Sequence, residues 1–368
     1  MSKTNQSLTA IALQKFKKNF WGVFSLGYIG IMVFLSIFAY VIAPDNSANA
    51  NQMHLAIHSK PPGFSVQMLS VPIGEKKEFS FQDYLFGHQN QVAEIPILSY
   101  SIQGNQLQYV EFTDDKSLQL TKELALIQFS GYASWQEVEK KLITTKKFML
   151  GTDKYGRDLL SRMLVGSRVS ISIGFVAVLI SVVVGLFFGA LGGYYGGKVD
   201  AFVMWLVNVI WSIPTLLLVI AITLALGKGF WQVFVAVGLT MWVEVARVVR
   251  GQIISVKEMQ YVTAARALGF SNRRIILNHI LPNIMAPVIV ISAANFASAI
   301  LVESGLSFLG LGAQPPIPSW GGMIKDHYSY IILGKPYLAL IPGAAIMLIT
   351  LAFMMTGNAL RDALDVKN

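Results

Sequence analysis

Apolar residues gather into six long runs, at 21–43, 169–195, 201–226, 230–249, 284–302 and 337–355. Each is close to the roughly 20 residues a helix needs to cross a bilayer, so the pattern predicts six transmembrane helices. The first run is too long for the apolar core of a secretion signal and lacks a small-residue cleavage site. It reads as a retained anchor, stopped by Pro44 and Asp45. Pro214 falls inside the third run and predicts a kink there, because its ring removes one backbone donor that neighbouring helices must make good.

Residues 44–168 are of different character, polar throughout, with thirteen basic and thirteen acidic side chains. Apolar and polar residues alternate over 99–112 around Gly104-Asn105, which predicts a β-hairpin. Residues 134–142 predict a short helix with Ser134 as N-cap and Glu137 at the capping-box position. No long-period repeat or low-complexity tract is visible. The chain thus divides into an N-terminal segment with the first span (1–43), a small α+β insert (44–150) and a five-helix body (151–368). The expected fold class is an all-α polytopic membrane protein carrying that insert between helices 1 and 2.

Composition agrees with the membrane: 54% of residues are hydrophobic and 13% charged, against about 25% charged in soluble domains. The net charge of +9 bears on orientation rather than on nucleic acid. With the N-terminus inside, the short inner segments hold thirteen Lys and Arg, from Lys3 to Lys367, and the short outer loops only Lys228, Lys325 and Lys335. Positive residues stay inside, whereas long loops translocate regardless of charge. Both termini are therefore expected in the cytoplasm and the insert outside it. With no Cys, five scattered His (His54, His58, His88, His279, His327) and no HExxH, a metal centre is not expected.

The most specific stretch is 261–283, YVTAARALGFSNRRIILNHILPN, in the longest inner loop between spans. It predicts a short helix bearing Ala264 and Ala265 and ended near Gly269. A second helix with Arg273, Arg274 and His279 should follow, closed by Leu281 and Pro282. A low-profile alanine patch on a short helix can dock in a partner's groove, and Gly269 permits the turn behind it. The same residues also suit a basic helix snorkelling at anionic lipid. Glycines at 185, 189 and 193 permit close helix packing. Glu244 and Arg247 predict a local i,i+3 pair near the inner end of the fourth span. The run GGYYGGKV (192–199) nearly matches a phosphate-binding loop, but Val199 replaces the Ser or Thr that would hold Mg²⁺ and no strand precedes it. ATP hydrolysis by this chain is not expected.

The 261–283 stretch resembles the EAA…G…LP loop of ABC importer permeases, the loop on which that family docks its ATPase. Thr263 stands where the family has Glu, while Ala264, Ala265, Gly269, Leu281 and Pro282 hold the pattern. GTDKYGRDLLSR (151–162), ESGLSFLGLGAQPPIPSWG (303–321) and LRDALD (360–365) narrow the resemblance to the C-type permease of dipeptide and oligopeptide importers, a family that also serves nickel and other solutes. The resemblance is strong over 151–368, weak over 1–43, and does not cover most of 44–150. It implies a type I importer fold and a non-catalytic subunit in a prokaryotic inner membrane. It also implies a homologous second permease, two ATPase subunits that use ATP and Mg, and an extracytoplasmic solute-binding protein, with no cofactor held by this chain. Arg266, Arg273 and Arg274 would supply charge around the ATPase-docking alanines. Gly151, Thr152, Asp153, Gly156, Arg157, Asp158, Pro315, Pro316, Trp320 and Gly321 would carry the family's extracytoplasmic motifs.

From the residues themselves, 151–158 reads as a solvated amphipathic entry to the second span, held by local ion pairs worth little each. The implied alternative is a contact for a binding protein or gate. The run 305–322 suits either a protein-buried re-entrant segment or a plain external loop. Three other classes compete. An ion-coupled secondary transporter would want acids near mid-membrane, and Glu244 and Glu303 read as lying toward span ends. A membrane protease would need a nucleophile and base, or two Asp, within the spans. An assembly anchor for the insert would not need so large an apolar body. Peptide is the first expected solute, with nickel or another small solute as the alternative.

Overall fold

The computed structural model describes residues 8–74, 80–88, 92–115, 117, 119–129, 132, 134–227 and 229–365. Lys3, Lys228 and Lys367, counted above for orientation, lie outside them. The chain opens with α1 (Leu8–Lys18), α2 (Phe20–Ile37) and α3 (Ala39–Ile42). The insert then follows as β1 (Phe64–Pro72), α4 (Phe81–Phe86), β2 (Val92–Gln103), β3 (Gln106–Glu111), β4 (Thr121–Ala125), α5 (Trp135–Leu142) and β5 (Ile143–Phe148). The body comprises α6 (Leu159–Tyr195), α7 (Gly197–Trp211), α8 (Thr215–Leu226), α9 (Phe230–Val256) and α10 (Gln260–Ala267). It continues through α11 (Asn272–Arg274), α12 (Leu281–Phe308), α13 (Trp320–His327) and α14 (Tyr337–Leu364). Among the described residues, five helices are long and apolar enough to cross a membrane, or six if α7 and α8 form one broken span.

Contacts divide the chain into two compact units. The first holds the residues up to Phe34, Val169–Gln314 and the chain from Gly343; the second holds Leu35–Arg168 and Pro315–Pro342.

In the first unit, glycine brings α6 onto α9. A Cβ added at Gly185 would lie 2.5 Å from Val245 Cβ, and one at Gly189 would lie 2.7 Å from the Ala246 carbonyl oxygen. At Gly193 it would meet the Arg250 carbonyl oxygen at 3.0 Å. The expected packing role of these three glycines holds: their missing side chains let one backbone rest on the other. Gly238 returns the approach from α9, against Ile180. At the chain ends, Phe16 of α1 is buried with Ala359 and Ala363 of α14.

Two expectations about the spans change. Pro214 does not kink a continuous helix; it heads α8, and α7 and α8 meet at 91°. A proline inside the helix would clash with the carbonyl four residues back, and a full break removes both the clash and the missing donor from the helix interior. In addition, α9 runs on to Val256, past the apolar run. Glu244 therefore stands fourteen residues after Phe230 and twelve before Val256, at mid-helix rather than near an end.

In the second unit, the strands form one antiparallel sheet in the order β4-β3-β2-β1-β5. The expected hairpin is β2–β3, with Gln103 opposite Gln106 across Gly104, whose φ is +60°. The Ser134 hydroxyl accepts from the Glu137 N–H at 3.4 Å and caps α5, as its sequence suggested. Successive strand residues point to opposite faces. Leu69 and Ile97 pack with Leu107, Phe129 and the α5 residues Val138 and Leu142, while Val66 and Met68 pack with Ile57 and Phe148. Both faces of β1 are thus covered, and the insert has a core of its own.

Replacing Gly189 by Leu should cost about 1–3 kcal/mol through overpacking. The midpoint of thermal unfolding in detergent should fall, and a midpoint equal to wild type would contradict the close approach of α6 and α9.

Candidate functional site

The segment following α9 folds as a compact helical hook. α10 spans QYVTAARA, and its end is a Schellman turn: Gly269 N–H donates to the Arg266 carbonyl and Phe270 N–H to the Ala265 carbonyl, at 2.9 and 3.1 Å. The turn needs a left-handed residue, and Gly269 supplies it with φ +76°. Val262 and Ala265 point inward and are buried with Ile275, Ile280, Ile284 and the α9 residues Val249 and Ile253. Thr263, Ala264, Arg266 and Ala267 remain exposed, as does Leu268 at 74%. The two alanines expected to form one patch therefore lie on different faces: Ala265 seats the helix and Ala264 is presented. The helical spacing decides this, since Val262 and Ala265, three apart, share the buried stripe.

Tyr194, near the end of α6, donates to Asn272 Oδ1 at 2.8 Å, and the Arg266 guanidinium lies 5.7 Å from the Tyr194 ring. Arg274 covers Phe270 at 4.1 Å, and Phe270 stacks on His279. Arg273 is exposed. Leu281 and Pro282 do not close the second helix. Asn272–Phe308 is a continuous helical span, with a π-helical turn at Ile275–Ile280 placed just before Pro282. A wider turn there accommodates a residue that lacks the N–H for an ordinary i→i−4 bond.

The expected Glu244–Arg247 pair is absent among the described residues. Arg247 donates to Asn208 Oδ1 at 2.7 Å and lies 3.4 Å from the Trp211 ring centroid, both on α7. Arg250 instead pairs with Asp200 of α7 through two hydrogen bonds. Sequence proximity suggested the local pair, but α7 offers Arg247 an amide and an aromatic face across the bundle. Glu244 is left exposed.

The second unit holds the 151–158 motif, and the structure overturns its solvated reading. Thr152 and Asp153 are 0% exposed, and Arg157 and Asp158 each 4%. Asp153 Oδ1 accepts from the Tyr155 and Arg157 N–H groups at 2.8 and 3.0 Å, while Oδ2 takes the Arg157 Nε at 2.6 Å. Arg157 also donates to Asn51 Oδ1, and Arg162 lies 3.7 Å from Asp153 Oδ2. Thr152 Oγ1 donates to the Ile57 carbonyl and accepts from Lys60 N–H. Gly151 and Gly156 have positive φ, and a Cβ on Gly156 would stand 1.8 Å from the His54 carbonyl oxygen. The motif is thus a clasp that gathers residues 49–60 onto the start of α6. Asp158 Oδ2 accepts from the Ser161 N–H and hydroxyl at the start of α6, and burial raises its pKa against those hydrogen bonds.

α13 joins the same clasp. Lys154 pairs with Asp326 at 3.1 Å, and the Lys154 N–H donates to His327 Nε2 at 3.3 Å. Burial would lower the Lys154 pKa, but its hydrogen bond to Asp326 and the Asp326 charge carry it above the ordinary value. Burial depresses the His327 pKa below the usual imidazole value. Trp320 is 0% exposed and donates to the Met163 carbonyl at 3.0 Å; Gly321 is buried beside it, and Pro315 and Pro316 are exposed. Nearby, Glu94 lies 3.5 Å from His54 Nε2 and 2.6 Å from Lys146 Nζ. Burial pushes its carboxyl up, but the His54 hydrogen bond and the Lys146 charge prevail and hold it at about 2.

Spanning helices packed backbone to backbone, with a short exposed helix seated by buried alanine, describe a multi-pass membrane protein. Residues 172–367 match the family described as binding-protein-dependent transport system inner membrane component, and residues 7–62 match the N-terminal TM domain of oligopeptide transport permease C. The chain belongs to the former family, the permease subunits of ABC importers of the inner membrane. Family membership implies partnership with an ATPase and a binding protein. The chain is 39% identical over 242 residues to the dipeptide transport system permease protein DppC of Alkalihalophilus pseudofirmus, covering 66% of this chain and 79% of the relative. It is 39% identical over 218 residues to the glutathione transport system permease protein GsiD of Pectobacterium atrosepticum, covering 59% and 72%. It is 36% identical over 223 residues to the oligopeptide transport system permease protein OppC of Bacillus subtilis, covering 61% and 73%.

Asp153→Ala should strand the buried guanidinium of Arg157 and cost about 3–5 kcal/mol. Asp114→Ala, which removes the exposed partner of Lys60, serves as a control. Equal shifts in unfolding midpoint for the two variants would refute the clasp. Glu94 titrates near 4.5 when unfolded and about 2 when folded. Its stabilisation is present above the unfolded value and is lost as pH falls toward about 2. Glu94→Gln should therefore be cleaved faster than wild type by pepsin within the insert near pH 4.5, and the difference should vanish near pH 2. A difference that persists unchanged to pH 2 would contradict this assignment.

Proposed function

We propose that this chain is a non-catalytic, pore-forming permease of an ATP-driven peptide importer, paired with a homologous permease and served by two ATPase subunits and an extracytoplasmic binding protein. Peptide is the solute favoured by the names of the dipeptide and oligopeptide relatives. The observation that carries the mechanism is the seating of α10. One face is locked into the core through Val262 and Ala265, and the other presents Thr263, Ala264, Ala267 and Leu268. In this reading that face docks the ATPase. With Thr263 in place of an acid, docking relies on the small profile of Ala264, the shape set by Gly269 and the charge of Arg266, Arg273 and Arg274.

The termini and α10 lie in the cytoplasm in this reading, following the thirteen-to-three distribution of positive residues. The 44–150 insert and the motif residues around Gly151, Asp153, Pro315, Pro316 and Trp320 then face the outside. Closure of the ATPases on ATP would move α10, and with it the ends of α9 and α12, between two arrangements of the bundle. A switch from 1:99 to 99:1 requires about 5.5 kcal/mol of differential binding.

Ala264→Arg alters the presented face without entering the core. It should abolish co-purification of the ATPase and solute uptake while the chain still inserts normally. Retention of both activities would remove α10 as the docking helix. Ala265→Arg, directed into the buried cluster, should lower the yield of inserted protein as well.

A further inference from the structure

Glu244 is the sole acidic residue of α9 and sits at mid-helix on a membrane-spanning element. A carboxylate on a spanning helix is costly against lipid and is tolerated where it faces water, a polar cavity or a partner charge. No ion pair or hydrogen bond reaches it among the described residues, because Arg247 is held by Asn208 and Trp211. Glu244 lines a cavity of about 200 Å³ that lies where α7 and α8 part at 91°. Trp211, Thr215, Thr240, Ser298 and Val302 complete the part of the wall that matters here. It combines one anionic group, three hydroxyls and an apolar remainder.

From this geometry we propose that Glu244 and its cavity bind the ammonium group of the transported molecule. An ammonium offers three donors and no acceptor, which suits one carboxylate flanked by hydroxyl oxygens. Apolar walls strengthen the attraction relative to open water. The α-ammonium of a peptide and the side-chain ammonium of a lysyl residue present the same chemistry. The peptide arm of the proposal rests on the import function proposed above; the cation preference of the cavity does not.

The chain contains no Cys, so a single introduced thiol can report on the site. Ser298→Cys, a near-isosteric change, places one in the cavity wall of the assembled, membrane-reconstituted transporter, and Thr215→Cys serves if that variant folds poorly. Its modification rate is measured with trimethylammonium and sulfonate methanethiosulfonates. The cationic reagent should react about tenfold faster than the anionic one, through the raised local cation concentration, and Glu244→Gln should erase the preference. Dialanine, which carries an α-ammonium, and N-acetyl-lysyl-alanine, which carries only a side-chain ammonium, should slow modification. N-acetyl-dialanine should not, and Glu244→Gln should remove the protection. Protection by one of the two ammonium peptides alone identifies which ammonium the site takes. Inertness of the thiol to both reagents, a rate preference unchanged by Glu244→Gln, or equal effects of all three peptides would each overturn the proposal. Failure of wild type to import dialanine would instead defeat the peptide-import function, and leaves the charge preference at the reporter as a separate reading.

Discussion

The helical body depends on backbone meeting backbone. Lipid is as apolar as leucine, so burying leucine between helices gains little there, and helices associate where close packing and hydrogen bonds reward them. Gly185, Gly189 and Gly193 remove the side chains that would hold α6 away from α9. The contact they permit carries on beyond the spans. Val245, Val249 and Ile253 continue without interruption into Val262, Ala265, Ile275, Ile280 and Ile284. The α10 hook is therefore the end of the same core rather than an appendage to it. A force applied at Ala264 meets Ala265 and Val262 behind it, and then α9 and α12. Tyr194 fixes the far side through Asn272. A loosely tethered loop would absorb such a push, and a seated one passes it to the spans.

The second unit solves a different problem with charge. A polar insert must be held at both ends by something stiffer than the chain itself. Asp153 satisfies two backbone N–H groups and the Arg157 guanidinium at once, and Thr152 bridges Ile57 and Lys60. Such a network is weak evidence for stability when compared with an apolar replacement, because burying its charges has a large desolvation cost. Its value is geometric: Asp153 meets two backbone N–H groups and a guanidinium at fixed positions, and Arg157 and Thr152, just before α6, carry that arrangement to Asn51, Ile57 and Lys60. Gly151 and Gly156 serve the same end, since a side chain at either would collide with the Lys60 or His54 carbonyl.

Much of this was legible in the chain. Apolar runs located every spanning segment, the alternation over 99–112 gave the β2–β3 hairpin, and Ser134 announced α5. Legibility failed where a residue's partner or cover lies far away in sequence. Glu244 and Arg247 sit three apart, yet Arg247 turns to Asn208 and Trp211. Ala264 and Ala265 are adjacent, yet a helix sends neighbours to different faces. Asp153 and Arg157 do pair, but their burial comes from residues a hundred positions away, such as Asn51 and, for the neighbouring Asp158–Ser161 cap, Asp45. Composition reports what a segment is made of; it carries no record of what covers it. Pro214 shows the same limit in the backbone, since the sequence marks the defect without saying whether the helix bends or breaks.

The ionisable residues of the first unit differ in whether they have partners. Asp200 and Arg250 answer each other with two hydrogen bonds, and the Arg247 guanidinium is met by an amide and an indole face. These groups are committed. Moving any of them would leave its partner without a counterpart. Glu244 has no such commitment among the described residues, although an arginine stands one helical turn away. A carboxylate that already has a cation within reach of its own helix, and does not use it, is not being spent on holding the fold. The break at Pro214 borders the same cavity, which residues on both sides of the 91° bend help to line. One proline and one glutamate thus converge on a single feature of the bundle, a polar recess whose negative charge is still available to a visitor.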